Sequence, residues 1–290
     1  MLKKPDYSAP RTLGEALTVL GESPERAQVI AGGTDLIPRM RARMVEPDLL
    51  LDLCWLSLDH IEADKNWISI GACVTQTAII ESTLLAHHYQ ILVEAAREMA
   101  GPPIRNRATI GGNLVNASPA ADLAPPLLVY DASVVLARTG SERQMSLHEF
   151  FTGPGMTVLA PNELLTEVRL PHLPANSSAK FIKLGNRKAM AVAVVDVAAR
   201  LTLDEDGRIS QARIALGSVA PNPIRAMKAE GLLEGGSPSE DLFAKAGRVA
   251  SDESSPISDI RASAEYRKKM VAVLTRRALM AAWERLQEEV

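Results

Sequence analysis

Apolar positions along this chain fall into short runs and helical spacings that alternate with polar turns. Leu13, Ala16, Leu17 and Leu20 recur at three- and four-residue intervals and predict a helix at about Thr12–Gly21. Val29-Ile30-Ala31 then runs into Gly32-Gly33-Thr34-Asp35-Leu36-Ile37-Pro38, which reads as strand, tight loop and helix, with Thr34 and Asp35 placed to cap the helix. Arg39, Arg41 and Arg43 follow as a solvated basic helix face, and 48–53 as a buried strand. Trp67-Ile68-Ser69-Ile70-Gly71 alternates as a strand should. The apolar spacing of 84–100 predicts one helix, stopped by Gly101-Pro102-Pro103. His87 and His88 are adjacent on it and point about 100° apart, which suits a surface better than a shared metal site.

The same reading continues to the C-terminus. Pro125 and Pro126 fit a helix start, and 133–137 and 163–170 read as strands. Ala175-Ser178 marks the best domain boundary. Beyond it, 191–203 and 208–217 are apolar strands joined by Asp204-Glu205-Asp206-Gly207, a hairpin turn by composition. A long helix closes the chain from about Ser263, with Tyr266, Met270, Leu274, Ala278 and Ala281 as its buried stripe.

Within this pattern two stretches carry chemistry. Adjacent glycines leave no Cβ in the way of a ligand, and consecutive N–H groups in such a turn form a concave anion site. Gly32-Gly33 is one such pair; Thr109-Ile110-Gly111-Gly112-Asn113-Leu114 repeats the order of apolar residue, two glycines, polar residue and leucine. Two loops of this kind can hold the two phosphates of a diphosphate. Neither has the ending of a P-loop or the GxGxxG spacing of a dinucleotide-binding turn.

Composition narrows the remaining classes. The chain has 290 residues, 47% hydrophobic and 23% charged, enough for one large or two smaller domains with a real core. A net charge of −3 gives nucleic-acid binding no support. No apolar run approaches the ~20 residues of a membrane helix, and no signal peptide is visible, so a cytoplasmic location is the expectation. Cys54 and Cys73 are the only cysteines and read as core thiols. An iron–sulfur cluster needs about four cysteines, so any cluster belongs on another chain. No metal-ligand cluster and no Ser–His–Asp set is present, and no catalytic acid or base is assigned.

Ala31-Gly32-Gly33-Thr34-Asp35-Leu36, Thr109-Ile110-Gly111-Gly112-Asn113-Leu114, Ser118-Pro119-Ala120-Ala121-Asp122 and Ser263-Ala264-Glu265-Tyr266-Arg267 together resemble the FAD-binding (medium) subunits of molybdenum hydroxylases. That group includes carbon monoxide dehydrogenase and xanthine dehydrogenase. The resemblance implies an α+β protein: a two-lobed, vanillyl-oxidase-like FAD-binding domain at 1–174 (lobes about 1–55 and 56–174), then a smaller sheet-and-helix domain at 178–290. It implies non-covalent FAD held by Ala31 through Leu36, Thr109 through Asn113, Ser118, Asp122, Leu165 and Lys183. Asp122 stands in an apolar neighbourhood, where a carboxylate needs partners and can meet ribose hydroxyls or backbone amides. Lys183 supplies a positive charge near the flavin or is simply exposed. Arg187-Lys188-Ala189-Met190-Ala191 corresponds to a segment over the isoalloxazine ring; some relatives place an aromatic there, and this chain has none.

The expected partners are an iron–sulfur subunit and a molybdenum-cofactor subunit, with NAD, oxygen or a respiratory carrier as acceptor. Two other functions fit the residues: a self-contained FAD oxidoreductase of the vanillyl-oxidase or cell-wall reductase type, and a non-catalytic nucleotide-binding assembly module. The first needs a substrate pocket and a proton donor on this chain; flavin colour separates the second from both flavoenzymes.

Overall fold

Three sheets follow one another along the chain, each with its own helices, in a computed structural model that describes residues 4–288. The first sheet comes from β1 (Asp6–Ser8), α1 (Leu13–Glu22), β2 (Ala27–Ile30), α2 (Leu36–Arg41) and β3 (Leu49–Asp52). Its three strands are parallel, in the order β1-β3-β2. Helix α1 starts where expected because Thr12 Oγ1 accepts from the Glu15 N–H while the Glu15 carboxylate accepts from the Thr12 N–H, a reciprocal cap. Ala16, Leu17 and Leu20 bury against Leu51 and Leu53. The caps expected for α2 are absent: Asp35 occupies the cap position but its side chain makes no capping bond. Arg43 lies beyond the helix, in the left-handed region.

The second sheet is antiparallel, in the order β4-β5-β10-β6-β7. Its strands are β4 (Ile61–Ala63), β5 (Trp67–Gly71), β6 (Ser133–Arg138), β7 (Ser141–Ser146) and β10 (Leu164–Pro171), with β8 (Phe151–Gly153) and β9 (Met156–Thr157) as a separate hairpin. Between β5 and β6 run α3 (Gln76–Glu81), α4 (Thr83–His88), α5 (Gln90–Glu98), α6 (Pro102–Arg105), α7 (Ile110–Val115) and α8 (Ala124–Val129).

The single helix expected over 84–100 is two, broken at Tyr89, whose backbone leaves the helical region at φ −136° and ψ 50°. The break turns its ring fully inward, against Tyr130, and lets its hydroxyl donate to the Pro171 carbonyl at 2.7 Å. Helix α5 ends before Met99, and Pro102 opens α6 rather than stopping anything, since a first-turn proline lacks only an N–H that has no helical partner. The second glycine pair is no loop either. Thr109 caps α7, so Gly111 and Gly112 sit inside a helical turn.

The third sheet, β11-β12-β13-β14, is antiparallel and uses β11 (Ser177–Gly185), β12 (Ala193–Leu203), β13 (Ile209–Gly217) and β14 (Ile224–Arg225). Helices α9 (Met227–Leu233), α10 (Glu240–Glu253) and α11 (Ala264–Glu288) follow. Ser177 and Ser178, expected in a boundary loop, already belong to β11. One face of the sheet, through Phe181, Ala198 and Ala215, joins the core of the second sheet; the other, through Val195, Val197 and Ala199, packs under α10 and α11. Burial on both faces is why β12 reads as a continuous apolar run.

Asp131 fastens the seam by accepting from Arg200, Arg213 and Arg225. The buried stripe of α11 is rotated from the expected one: Arg267, Val271, Leu274, Ala278 and Ala282 face inward, and Tyr266 is 45% exposed. The rotation puts the Arg267 guanidinium where it donates to the Ser218 carbonyl and to Asp259.

Candidate cofactor site

A cavity of about 790 Å³ opens between the first and second sheets, within the size range of cofactor pockets. Ala31, Gly32, Gly33, Thr34, Asp35 and Leu36 form one wall. Thr109, Gly111, Gly112, Asn113, Ser118, Asp122 and Leu165 form the other, with Met190 and Val192 at one side. The stretches that are distant in sequence therefore meet at one place.

The two glycine pairs do different work. Between Ile30 and Leu36 the chain must turn from strand to helix, and Gly33 does so at φ +71°, where a side chain is strained. Gly32 lies against the Arg107 carbonyl, whose carbon is 2.6 Å from where a Cβ would stand, and Arg107 Nε donates back to the Gly32 carbonyl at 3.3 Å. Among the described residues no protein group accepts from the N–H groups of Gly32, Gly33, Thr34 or Asp35. Four consecutive donors without a protein acceptor thus belong to residues of the cavity wall, and consecutive backbone N–H groups are the kind that can form a concave anion site.

The second pair offers no such donors. The Gly111 N–H is given to the Ala72 carbonyl at 2.9 Å, and the Gly112 N–H to Thr109 Oγ1 at 3.0 Å. Gly111 is required for packing: a Cβ there would stand 2.7 Å from the Ala72 side chain and carbonyl. The idea of two amide loops gripping a diphosphate is thereby corrected to one amide loop facing a helix turn.

Ile110 does not line the cavity. Its side chain is fully buried in the core, and its N–H is given to the Val74 carbonyl. What this wall contributes is acceptors. Asn113 Oδ1 and Asp122 Oδ1 are buried, belong to residues of the cavity wall, and have no hydrogen-bond partner among the described residues. A buried acceptor left unsatisfied is costly, and both of these stand out of reach of solvent behind the cavity surface.

Lys183 is neither exposed nor on the cavity surface. Its side chain is 4% exposed and lies behind Asp122, donating to Asp122 Oδ2 at 2.8 Å and to the Glu98 carbonyl at 3.2 Å. Burial pushes the Asp122 carboxyl above its usual range, and the Lys183 ammonium pulls it back.

Three further features were not singled out from the sequence. Glu98 is held close to Lys183, and its carboxyl is pushed up by burial. Glu163, on the cavity wall, accepts from Arg143 Nε and Nη2 at 2.8 Å and from the Ala160 N–H at 2.9 Å, and these bonds hold its carboxyl below the usual range. Asp196 is fully buried in β12, where a carboxylate inside an eleven-residue apolar strand was the available signal.

Glu163 carries a pH prediction. A depressed carboxyl stabilises the fold above its unfolded value, and that contribution is lost as pH falls through the folded value. Acid denaturation of Glu163→Gln should accordingly show a shallower loss of stability below about pH 4.5 than wild type, the ordinary glutamate range. Superimposable acid limbs would refute it.

Of the two cysteines expected as core thiols, only Cys73 packs against a core. Cys54 is exposed, and Cys73 is half-buried, with its thiol pushed up to about 12 chiefly by burial. Among the described residues no three His, Cys, Asp or Glu side chains come together as a metal-binding group. No described helix is long and apolar enough to cross a membrane.

Residues 3–173 match the family model for the FAD binding domain in molybdopterin dehydrogenase, and residues 180–282 the CO dehydrogenase flavoprotein C-terminal domain. The 6-hydroxypseudooxynicotine dehydrogenase complex subunit alpha of Paenarthrobacter nicotinovorans is 34% identical, over 97% of this chain and 95% of its own length. The xanthine dehydrogenase FAD-binding subunit of Escherichia coli O157:H7 is 32% identical, over 95% of each chain. Among solved structures, carbon monoxide dehydrogenase from Hydrogenophaga pseudoflava superimposes with a TM-score of 0.94 at 32% identity, covering 98% of this chain and 99% of that one.

Proposed function

Since the chain belongs to the FAD-binding subunits of the molybdenum hydroxylases, a family of multi-subunit oxidoreductases, we propose that the cavity between its first two sheets holds one FAD without a covalent link. The observation that carries the reading is the pairing of chemistries across that cavity. The loop of Gly32, Gly33, Thr34 and Asp35, whose amides have no protein acceptor, forms one wall, and Asn113 and Asp122, each with a buried side-chain oxygen that lacks a partner, stand in the other. A dinucleotide has what each lacks: a diphosphate for the amides, and hydroxyl and ring N–H groups for the acceptors.

In this reading Gly32 through Asp35 bind the diphosphate, Asn113 and Asp122 orient the cofactor, and Leu165, Met190 and Val192 exclude water beside its ring. Lys183 acts from behind Asp122. Ala31, Leu36, Thr109, Gly111, Gly112 and Ser118 complete the wall, and Ile110 supports it from the core. Bound FAD would supply the redox chemistry, and no acid or base of this chain is needed for it. The division into 1–174, with lobes of about 1–55 and 56–174, and 178–290 belongs to the same proposal.

The same proposal assigns the metal centres to other chains, an iron–sulfur subunit and a molybdenum-cofactor subunit, with NAD, oxygen or a respiratory carrier taking the electrons. Names such as "complex subunit alpha" and "medium chain" among its relatives support a multi-subunit assembly. Among the described residues no His, Cys or Tyr lines the cavity, so none of them offers a usual attachment point there.

Two measurements on the full chain purified alone test this. Acid precipitation should leave the yellow colour in the supernatant, and elemental analysis should find no stoichiometric iron or molybdenum. Flavin retained in the pellet refutes the non-covalent site, and either metal at stoichiometry refutes the division of labour.

A further inference from the structure

Asp196 has no part in the site as described, yet its position ties it to the cavity wall. In the antiparallel ladder it is paired with Lys183 on one side and Gly217 on the other. Paired residues point to the same face of a sheet. Two residues further along β12, the row Phe181, Ala198, Ala215 packs into the core of the second sheet, so Lys183, Asp196 and Gly217 face that way as well. The carboxyl fills the space over Gly217: a Cβ at that glycine would come within 2.7 Å of Asp196 Cγ.

Asp196 is fully buried, and neither of its oxygens has a hydrogen-bond partner among the described residues. The groups facing it are few. They are Lys183 from β11, Asp122 from the segment before α8, and Ser218 after β13, whose carbonyl is held by Arg267 of α11. Glu98, at the end of α5, faces Lys183.

One ammonium therefore stands bonded to one buried carboxyl, Asp122, and beside a second, Asp196, its partner in the ladder. We propose that Asp196 and Asp122 compete for the ammonium of Lys183, and that the outcome sets the charge that the cavity wall turns toward an anionic cofactor. The inference rests on the FAD reading above. With Asp196 protonated, Lys183 stays on Asp122 and the wall is neutral. With Asp196 ionised, the ammonium is shared between two carboxylates and the wall gains a net negative charge beside a ligand whose diphosphate is already anionic. Burial first, and then the Asp122 charge, hold the Asp196 carboxyl well above the usual carboxylate range, so the neutral arrangement prevails at low pH and gives way as pH rises. Asp196 is thus a positioning residue, acting on the site through Lys183.

The test is the pH profile of FAD affinity for the full chain, titrated by flavin fluorescence at fixed ionic strength across the whole range of pH in which the chain stays folded. Wild type should weaken about tenfold over this window, the scale of one unit charge at roughly 10 Å under an effective dielectric constant near 20. Asp196→Asn, which cannot ionise, should hold its affinity within about twofold across the same window, on the same charge argument. Its melting temperature should match or exceed that of wild type at the alkaline end. A raised carboxyl gives stability that is complete below its unfolded value and is lost as pH rises toward the folded one.

A flat wild-type profile overturns the proposal without any variant. Parallel weakening of wild type and Asp196→Asn also overturns it, because the charge then arises elsewhere, with Glu98 the neighbour to blame. Should the asparagine variant fail to fold, Asp196→Ser takes its place, and failure of both makes the residue structural and overturns the competition. Absence of FAD binding at every pH strikes the cofactor reading itself and takes this inference with it.

Discussion

Replacing Lys183 by methionine should destabilise the FAD-free chain by about 3–5 kcal/mol, the usual cost of removing one partner of a buried ion pair. At about 2 °C or more per kcal/mol for a chain of this size, the melting temperature should fall by roughly 6–10 °C. The size follows from what the lysine leaves behind. Asp122 and Lys183 have side chains only 10% and 4% exposed, so water cannot take over the carboxylate. Asp196 loses the same cation.

The penalty should also depend on pH in a defined direction. The Asp122 carboxyl already lies above its usual range, and without the ammonium it rises further. Its contribution is intact below the unfolded value and is lost as pH rises, so the variant should come closest to wild type in acid and fall away toward neutrality. Combining Lys183→Met with Asp122→Asn removes the stranded charge and should recover most of the loss, and urea denaturation of the four proteins measures the coupling. A single variant within about 1 kcal/mol of wild type, the scale of an exposed pair, would show the ion pair to be solvated after all.

The sequence revealed more of the fold than of the site, for reasons visible at single residues. Helix α1 is announced by Thr12 and Glu15 because a reciprocal cap is local and needs nothing from the rest of the chain. The break at Tyr89 has no such local sign. The residues around it keep helical spacing, and what ends α4 is a tertiary bond from the ring hydroxyl to a carbonyl 82 positions away. The stripe of α11 was misplaced because Arg267 ranks as a surface residue by chemistry, whereas here the Ser218 carbonyl and Asp259 satisfy it in the interior.

In the site, residue type pointed to the right places but not to the right roles. Gly-Gly before a polar residue looks alike at 32–33 and 111–112. Only the structure separates a turn with four free amides from a helix turn pressed on Ala72. Lys183 was found through resemblance, and its burial behind Asp122 depends on the β11–β12 register, which no local pattern contains.

The difference between the two glycine pairs gives the other large effect, and Gly32→Ala is the variant that isolates it. An added methyl would run into the Arg107 carbonyl and stand 3.1 Å from Ala108 Cα. These are backbone atoms, so no rotamer change relieves the contact, and either the loop or α6 and its connection to α7 must retreat. Overpacking of this kind costs about 1–3 kcal/mol, occasionally more. The retreat also displaces the row of amides from Gly32 to Asp35, so FAD affinity should fall by more than 100-fold. A cofactor present at 100 times its dissociation constant stabilises its host by about 2.7 kcal/mol, and in the variant that contribution disappears on top of the packing loss.

Gly112→Ala is the matched control. Its Cβ would meet only Thr109 Oγ1, at 3.0 Å. Alanine in a helix turn regains up to about 1 kcal/mol over glycine, which offsets the crowding of the cap. Melting of both variants with and without FAD decides the matter. The expected pattern is a low FAD-free melting temperature with little response to FAD for Gly32→Ala, and a near-wild-type FAD-free value for Gly112→Ala. Wild-type FAD affinity in Gly32→Ala would mean that the free amides beside Arg107 do not hold the diphosphate. A collapse of FAD-free Gly112→Ala would mean that α7 carries a packing constraint at its second glycine as well as its first.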